Sequence, residues 1–313
     1  MSGPQREGER LDMKNLQVAL FASVLAAMGA IAPAQAQDTS KAIVAATPRA
    51  GCAMKSSEVL TDFQAIELRR YVVRQGEREH FAQYFDSFFP EAFQQLGAVA
   101  VGEFLERGGS RFTWVRAFHS MDDRAKANAL FYYGPVWREH ADTLNSLMID
   151  SDNVLLLRPL SREQGITVLP AVDPVKEEKG AQGIAIAQIF AVKTNSVDAF
   201  AQQAEGTFAR YRDARAYEAG VLVTLDKPNN FPQLPVRSDG PYLVWLGIVE
   251  DEQALKSFTR LMDDMQPSLY ATDLLRAKPE TIVLDPRNAH AYAGLFATNQ
   301  ANESGSRVGH PIV

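Results

Sequence analysis

Leu68-Arg69-Arg70-Tyr71-Val72-Val73 and Ala187-Gln188-Ile189-Phe190-Ala191-Val192 are one element written twice. Each reads as a strand, apolar and β-branched, and each precedes a helical stretch with a phenylalanine near its start, Phe81 or Phe200. Two further anchors keep step. Phe112-Thr113-Trp114-Val115-Arg116-Ala117-Phe118 stands against Leu243-Val244-Trp245-Leu246-Gly247-Ile248-Val249, and each runs into an acidic helix start, Asp122-Asp123 or Glu250-Asp251-Glu252. Leu155-Leu156-Leu157-Arg158-Pro159 stands against Ile282-Val283-Leu284-Asp285-Pro286. Extra residues between Leu225 and Tyr242 lengthen the second copy. Two copies are too few for a solenoid, whose units need several neighbours, so the repeat is read as a duplicated compact domain.

Within the first copy the pattern predicts strand, helix, strand, strand, helix, strand. Ile66 to Val73 is the first strand. Gly76 to Leu96 has helical periodicity, with Phe81, Phe85, Phe88, Phe89, Ala92 and Leu96 on one broad face. Val99 to Leu105 and Phe112 to Phe118 are strands joined by the turn Arg107-Gly108-Gly109-Ser110. A helix from Asp122 to Tyr133 gives way at Gly134-Pro135 to a second, ending near Met148, and Val154 to Leu157 is the last strand. The second copy repeats the order, with helices over Ser196 to Arg212 and Glu250 to Met265, and Pro267 punctuating the latter. This order defines an α+β, ferredoxin-like unit: an antiparallel sheet with helices on one face. The other face also needs burial. Two tandem units packed sheet to sheet, as a pseudo-dimeric α/β barrel, provide it.

The rest of the chain bounds what the protein does. At 313 residues there is room for two ordinary domains, and 46% hydrophobic with 22% charged residues is a globular composition. A net charge of -6 disfavours nucleic acid as a partner. Met13-Lys14 precedes an apolar run from Val18 to Ala32; Pro33 follows, then Ala34-Gln35-Ala36, a small-x-small cleavage pattern. We expect residues 1–36 to be a signal peptide with an upstream extension, cut after Ala36, and the mature protein to be periplasmic or secreted and free of the membrane. The division that follows is a lead-in over 37–62, a first domain over 63–160, a linker over 161–182, a second domain over 183–287 and a tail over 288–313. The single cysteine, Cys52, permits no intrachain disulfide and is read as a free thiol in the lead-in.

Glu67-Leu68-Arg69-Arg70-Tyr71, Gly76, Trp114 through Phe118 leading to Arg124, Pro135-x-Trp137 and Leu156-Leu157-Arg158-Pro159 together resemble a NIPSNAP domain. The resemblance covers Ala65 to Pro159 and is fainter in the second copy, where Phe190 and Gln188 stand at the levels of Tyr71 and Arg69. It implies the dimeric α/β-barrel group of ferredoxin-like folds, whose members include cofactor-free monooxygenases, haem-degrading enzymes and lactone isomerases. NIPSNAP domains bring no settled catalytic set to carry over.

Strand alternation places Ile66, Leu68 and Val72 on one face of the first strand, and Glu67, Arg69, Tyr71 and Val73 on the other. We expect the first face, with Val115 and Ala117, to lie under helices. The second, with Trp114, Arg116 and Phe118, is expected to close the barrel. Glu67, Arg69, Tyr71, Trp114 and Arg116 are then candidate ligand-binding residues, joined by Gln188 and Trp245 from the second copy. Gln188, Gly247 and Val249 stand where the first copy has Arg69, Arg116 and Phe118, so the site is expected to be lopsided. Two arginines against one carboxylate suit a carboxylate or phenolate ligand; the plainer reading is an internal ion network at a domain interface.

His119 is expected at the surface or in a cap, and His80 on a solvated helix start. No HExxH, CxxC or paired His/carboxylate spacing suggests a metal, and no phosphate loop, dinucleotide fingerprint or serine elbow suggests a cofactor or nucleophile. Phe131-Tyr132-Tyr133-Gly134-Pro135-Val136-Trp137 is core or pocket wall, and the loop Asp226 to Gly240 a lid or an insertion. Three functions stay open: a module binding a small aromatic or acidic molecule in the barrel, a cofactor-independent monooxygenase or isomerase on the same pocket, and a structural or interaction protein with a filled barrel. Within any of them, the pseudo-dimer leaves further oligomerisation open.

Overall fold

The computed structural model describes residues 62–166 and 183–287. The expected signal peptide, Cys52, all of the lead-in before residue 62, most of the linker (167–182) and the tail from 288 lie outside the described residues. Fourteen elements follow in order: β1 (Ala65–Val73), α1 (Arg78–Phe88), α2 (Pro90–Gln95), β2 (Val99–Glu106), β3 (Arg111–Phe118), α3 (Met121–Tyr132), α4 (Pro135–Leu147), β4 (Met148–Pro159), β5 (Ile184–Ala191), α5 (Val197–Asp213), β6 (Tyr217–Thr224), β7 (Tyr242–Val249), α6 (Glu252–Leu269) and β8 (Glu280–Pro286).

Local chemistry sets the breaks. The expected single helix over Gly76–Leu96 is two, because Pro90 lacks an amide hydrogen and its ring clashes with the preceding turn, so it starts a new helix. Ser120 caps α3 by accepting a hydrogen bond from Asp123 N at 3.1 Å, and Asp251 caps α6 by accepting one from Ala254 N at 2.8 Å. Between α3 and α4 the chain passes so close to itself that a β-carbon on Gly134 would lie 2.4 Å from the Leu130 carbonyl oxygen. Pro267 does not end the second copy's helix: α6 runs on to Leu269, because the proline sits in its last turn, where little of the helix remains for it to interrupt.

All strand pairs are antiparallel, and they close into a barrel in the order β1-β3-β2-β8-β5-β7-β6-β4. Each copy contributes four neighbouring strands, β4-β1-β3-β2 and β8-β5-β7-β6, and the copies meet edge to edge at β2–β8 and β4–β6. The duplication therefore serves the expected purpose, each half covering the bare face of the other.

The barrel interior is apolar. Ile66, Leu68, Val115, Ala117, Leu155 and Leu157 of the first half meet Ala187, Ile189, Val244, Leu246, Ile248 and Leu284 of the second in one buried cluster. Each large aliphatic side chain so buried contributes roughly 1.5–3 kcal/mol. One end is closed by Arg70, whose Nε and Nη2 donate to Glu106 at 2.6 and 2.9 Å and whose Nη1 pairs with Glu280 at 2.9 Å.

This corrects the expected facing of the strands. Ile66, Leu68, Val115 and Ala117 point into the barrel, whereas Tyr71, Trp114 and Phe118 pack outward against α1–α4 with Phe81, Phe85, Phe93 and Phe131. The interior of an eight-stranded barrel is just wide enough for compact side chains to fill. The layer between sheet and helices has room for indole, phenol and guanidinium groups. A site inside the barrel is thereby excluded for Glu67, Arg69 and Arg116; their place is in the outer layer.

Candidate functional site

Glu67 is the centre of the polar cluster. β1 and β3 run side by side with Glu67 opposite Arg116 and Arg69 opposite Trp114, so alternation alone sets these four on one face. α3 then crosses that face and adds Arg124 and Asn128, both fully buried. Glu67 Oε2 accepts from Arg69 Nη1 at 2.9 Å and from Arg116 Nε at 2.5 Å, and Oε1 accepts from Arg124 Nε at 2.6 Å. Arg69 Nε donates to the Tyr71 hydroxyl at 2.7 Å. The Arg116 guanidinium lies 4.8, 5.0 and 5.4 Å from the ring centres of Phe93, Trp114 and Phe118.

The electrostatics are lopsided. Three guanidinium cations share one carboxylate, all at most 1% exposed, which among the described residues leaves two positive charges uncompensated in the interior. Asp152, exposed at the edge, is the further carboxylate that feels Arg69. Burial by itself would raise the Glu67 carboxyl, but Arg116, Arg69 and Arg124 more than reverse this and hold it well below the usual carboxylate range. Arg124 is lowered, first by burial and then by Arg116 and Arg69, with Glu67 opposing. The Tyr132 phenol is raised by burial, against the pull of Arg116.

Hydrogen bonding is incomplete at the same place. Arg116 Nη1 and Nη2, Arg124 Nη2, Trp114 Nε1 and both amide atoms of Asn128 are buried with no hydrogen-bond partner among the described residues. An unpartnered buried donor costs roughly 1–3 kcal/mol, more when charged. Such groups call for a water, an ion or a ligand in explanation.

The cover comes from the other half. The loop between β6 and β7, expected as lid or insertion, reaches over α3: Arg124 Nη1 donates to Asn229 Oδ1 at 3.0 Å and to Asn230 Oδ1 at 2.7 Å. Phe231 lies against the rings of Tyr132 and Tyr133 at 5.9 and 6.2 Å, and Gln233 Nε2 donates to the Tyr133 hydroxyl at 3.1 Å. In the aromatic run behind it, Phe131 is core, stacked on Phe93 at 3.7 Å, while Tyr132 borders the polar cluster. Two surface hollows of about 510 and 540 Å³, by Phe63–Arg158 and by Gln75–Arg78, include no member of the cluster.

Gln188 and Trp245 are not brought to this site. They pair with each other in the outer layer of the second half, where Ile186 and Gly247 stand at the levels of Glu67 and Arg116. There the layer is a closed aromatic core of Trp245, Phe208, Tyr211 and Phe258. Arg124, Asn128, Tyr132, Asn229 and Asn230 were outside the candidate set. Arg124 and Asn128 had a usable signal, standing four apart on one face of a short helix that follows β3 directly; Asn229 and Asn230 had none.

The described histidines stand apart from the cluster. His119 is exposed and stacks on Phe63 at 5.0 Å; His140 Nδ1 meets the Tyr84 hydroxyl at 2.7 Å; His80 pairs with Glu77 at 3.0 Å. Among the described residues no cluster of His, Cys, Asp and Glu is placed to hold a metal, and no helix is long and apolar enough to cross a membrane.

An eight-stranded barrel closed by two ferredoxin-like halves is the dimeric α/β-barrel architecture, here carried in one chain. The NIPSNAP family model matches residues 66–162, the half that bears the cluster. Solved structures similar to the chain include a candidate monooxygenase from Lactobacillus acidophilus, at 12% identity over 74% of this chain and 97% of that one, TM-score 0.47. An anthrone oxidase-like protein matches at 11% identity over 76% and 97%, TM-score 0.49. A NIPSNAP family protein from Agrobacterium tumefaciens matches at 20% identity over 31% and 94%, TM-score 0.30. No curated protein matches the chain.

Proposed function

We propose that the first half of the barrel binds a small molecule carrying a carboxylate or similarly planar anion, seated between the sheet and α3 beside Arg116 and Arg124. One observation carries this reading: the buried Nη1 and Nη2 of Arg116 and Nη2 of Arg124 are unpartnered while two positive charges stay uncompensated. A planar anion accepts two parallel hydrogen bonds from such a fork and offsets the charge in one step. Phe93, Phe118 and Trp114 around Arg116 favour a flat, unsaturated body on the ligand. The loop over Arg124 closes the layer, so entry requires that loop or α3 to move.

Binding is favoured over proton-transfer chemistry because the cluster offers no base. Glu67 is held far on the ionised side and is correspondingly weak as a proton acceptor, and burial keeps the Tyr132 phenol protonated. The test is calorimetric titration of the protein with benzoate at neutral pH, beside the variant Arg116→Lys. Lysine keeps the charge and removes the fork. We expect benzoate to bind the parent chain and the variant to bind about tenfold more weakly or worse. Equal affinity in the two proteins would remove the proposed anchor.

A further inference from the structure

Asn229 and Asn230 hold Arg124 without neutralising it, and we propose that this is their role: positioning residues that the second half supplies to the first, fixing the guanidinium with neutral acceptors so that the site keeps its charge for an anion. The inference rests on the anion-binding reading above and adds what tunes that site.

The geometry is specific to the amide side chain. Arg124 spends Nε on Glu67 and Nη1 on two carbonyl oxygens, Asn229 Oδ1 at 3.0 Å and Asn230 Oδ1 at 2.7 Å. Only Nη2 is left, buried and unpartnered. Both asparagines are themselves locked. Asn229 Nδ2 donates to the Leu234 carbonyl at 2.8 Å, and its Oδ1 also accepts from Phe231 N at 3.1 Å. Asn230 Nδ2 donates to the Met121 carbonyl at 2.6 Å, at the start of the helix that carries Arg124. With each Nδ2 engaged on a carbonyl, each Oδ1 has to face the arginine.

A carboxylate in either place would pair with a buried arginine more strongly than an amide does. It would also cancel one of the two uncompensated charges beside which the anion is to sit. The two readings of the loop therefore part company. Aspartate also trades the Nδ2 donor now bonded to the Leu234 or Met121 carbonyl for an oxygen, so its effect on stability is mixed; a cover that serves stability alone leaves affinity following stability, whereas a cover that serves an anion site loses affinity beyond it. The corresponding β2–β3 connection in the first half is only Arg107–Ser110, and its side-chain contact with the second half is an ordinary ion pair, Arg107 with Glu252 and Asp285 at 2.6 Å.

The experiment compares the full chain with Asn230→Asp and Asn230→Ala, each titrated with benzoate and melted thermally, with Asn229→Asp and Asn229→Ala as a second pair should the first not fold. We expect the aspartate variant to bind benzoate about tenfold more weakly than the alanine variant, whichever of the two melts higher. Alanine and aspartate variants weakened equally, or affinity falling only in step with stability, would overturn the inference and make the loop a structural cover. Absence of benzoate binding by the parent chain would instead overturn the anion-site reading itself, and the inference with it.

Discussion

Trp245 lies flat over Gly247: a β-carbon on that glycine would sit 2.0 Å from the indole. The equivalent pair in the first half is Trp114 and Arg116, matched by strand register. Thus the same backbone position carries a guanidinium in one half and is roofed by an indole in the other. With Ile186 at the level of Glu67, the second half has an aromatic core where the first has a charged cluster.

Gly247→Ala tests that division. The added methyl group must displace the Trp245 ring, which Phe208, Tyr211 and Phe258 hold from other sides. Overpacking of this kind costs about 1–3 kcal/mol. We expect a lower urea midpoint and unchanged affinity for benzoate; a variant as stable as the parent would mean that the ring is free to move.

Glu67→Gln removes the one carboxylate among Arg69, Arg116 and Arg124. Stranding buried cations typically costs about 3–5 kcal/mol. Urea unfolding should show a loss of that size, partly recovered by saturating benzoate, which would supply the missing negative charge. A loss below about 1 kcal/mol would contradict the view that Glu67 holds the cluster together.

Glu103 gives a pH dependence of opposite sign. Burial, reinforced by Asp86 and partly offset by Arg287, pushes its carboxyl from 4.5 up to about 8. Between those values the folded state holds a proton that the unfolded chain releases, so this contribution to stability is fully present below about 4.5 and is lost as pH rises through about 8. Glu67, lowered by its arginines, acts the other way and loses its contribution only as pH falls below the ordinary carboxylate range. Glu103→Gln should flatten the decline on the way up to pH 8 and stabilise the protein there, as read by unfolding midpoints across pH. An unchanged slope would place the titration elsewhere.

Much of this was legible from the residues. The repeat is carried by patterns that physics must honour in each copy, so the element order and the closed barrel follow from it. Alternation correctly grouped Glu67, Arg69, Tyr71, Trp114 and Arg116 on one face. It could not say which face was inside, because both faces of this sheet are buried and both carry apolar residues. Side-chain volume held that information: Ala185, Ala187 and Ala117 suit a narrow barrel, Tyr71 and Trp114 a helix-covered layer. Arg124 was visible as part of a family pattern and not as a site residue, since its role depends on how α3 crosses the sheet. Asn229 and Asn230 lie more than a hundred positions from Arg124 and belong to the other copy. No local pattern connects them.

The most direct test of the anion site is an anomalous difference map from crystals of the protein soaked in 4-iodobenzoate. We expect an iodine peak between the sheet and α3, with the carboxylate about 3 Å from Arg116 Nη1 or Nη2 and from Arg124 Nη2. Iodine inside the barrel among Ile66, Val115 and Leu246, or ordered water alone beside the two arginines, would contradict it.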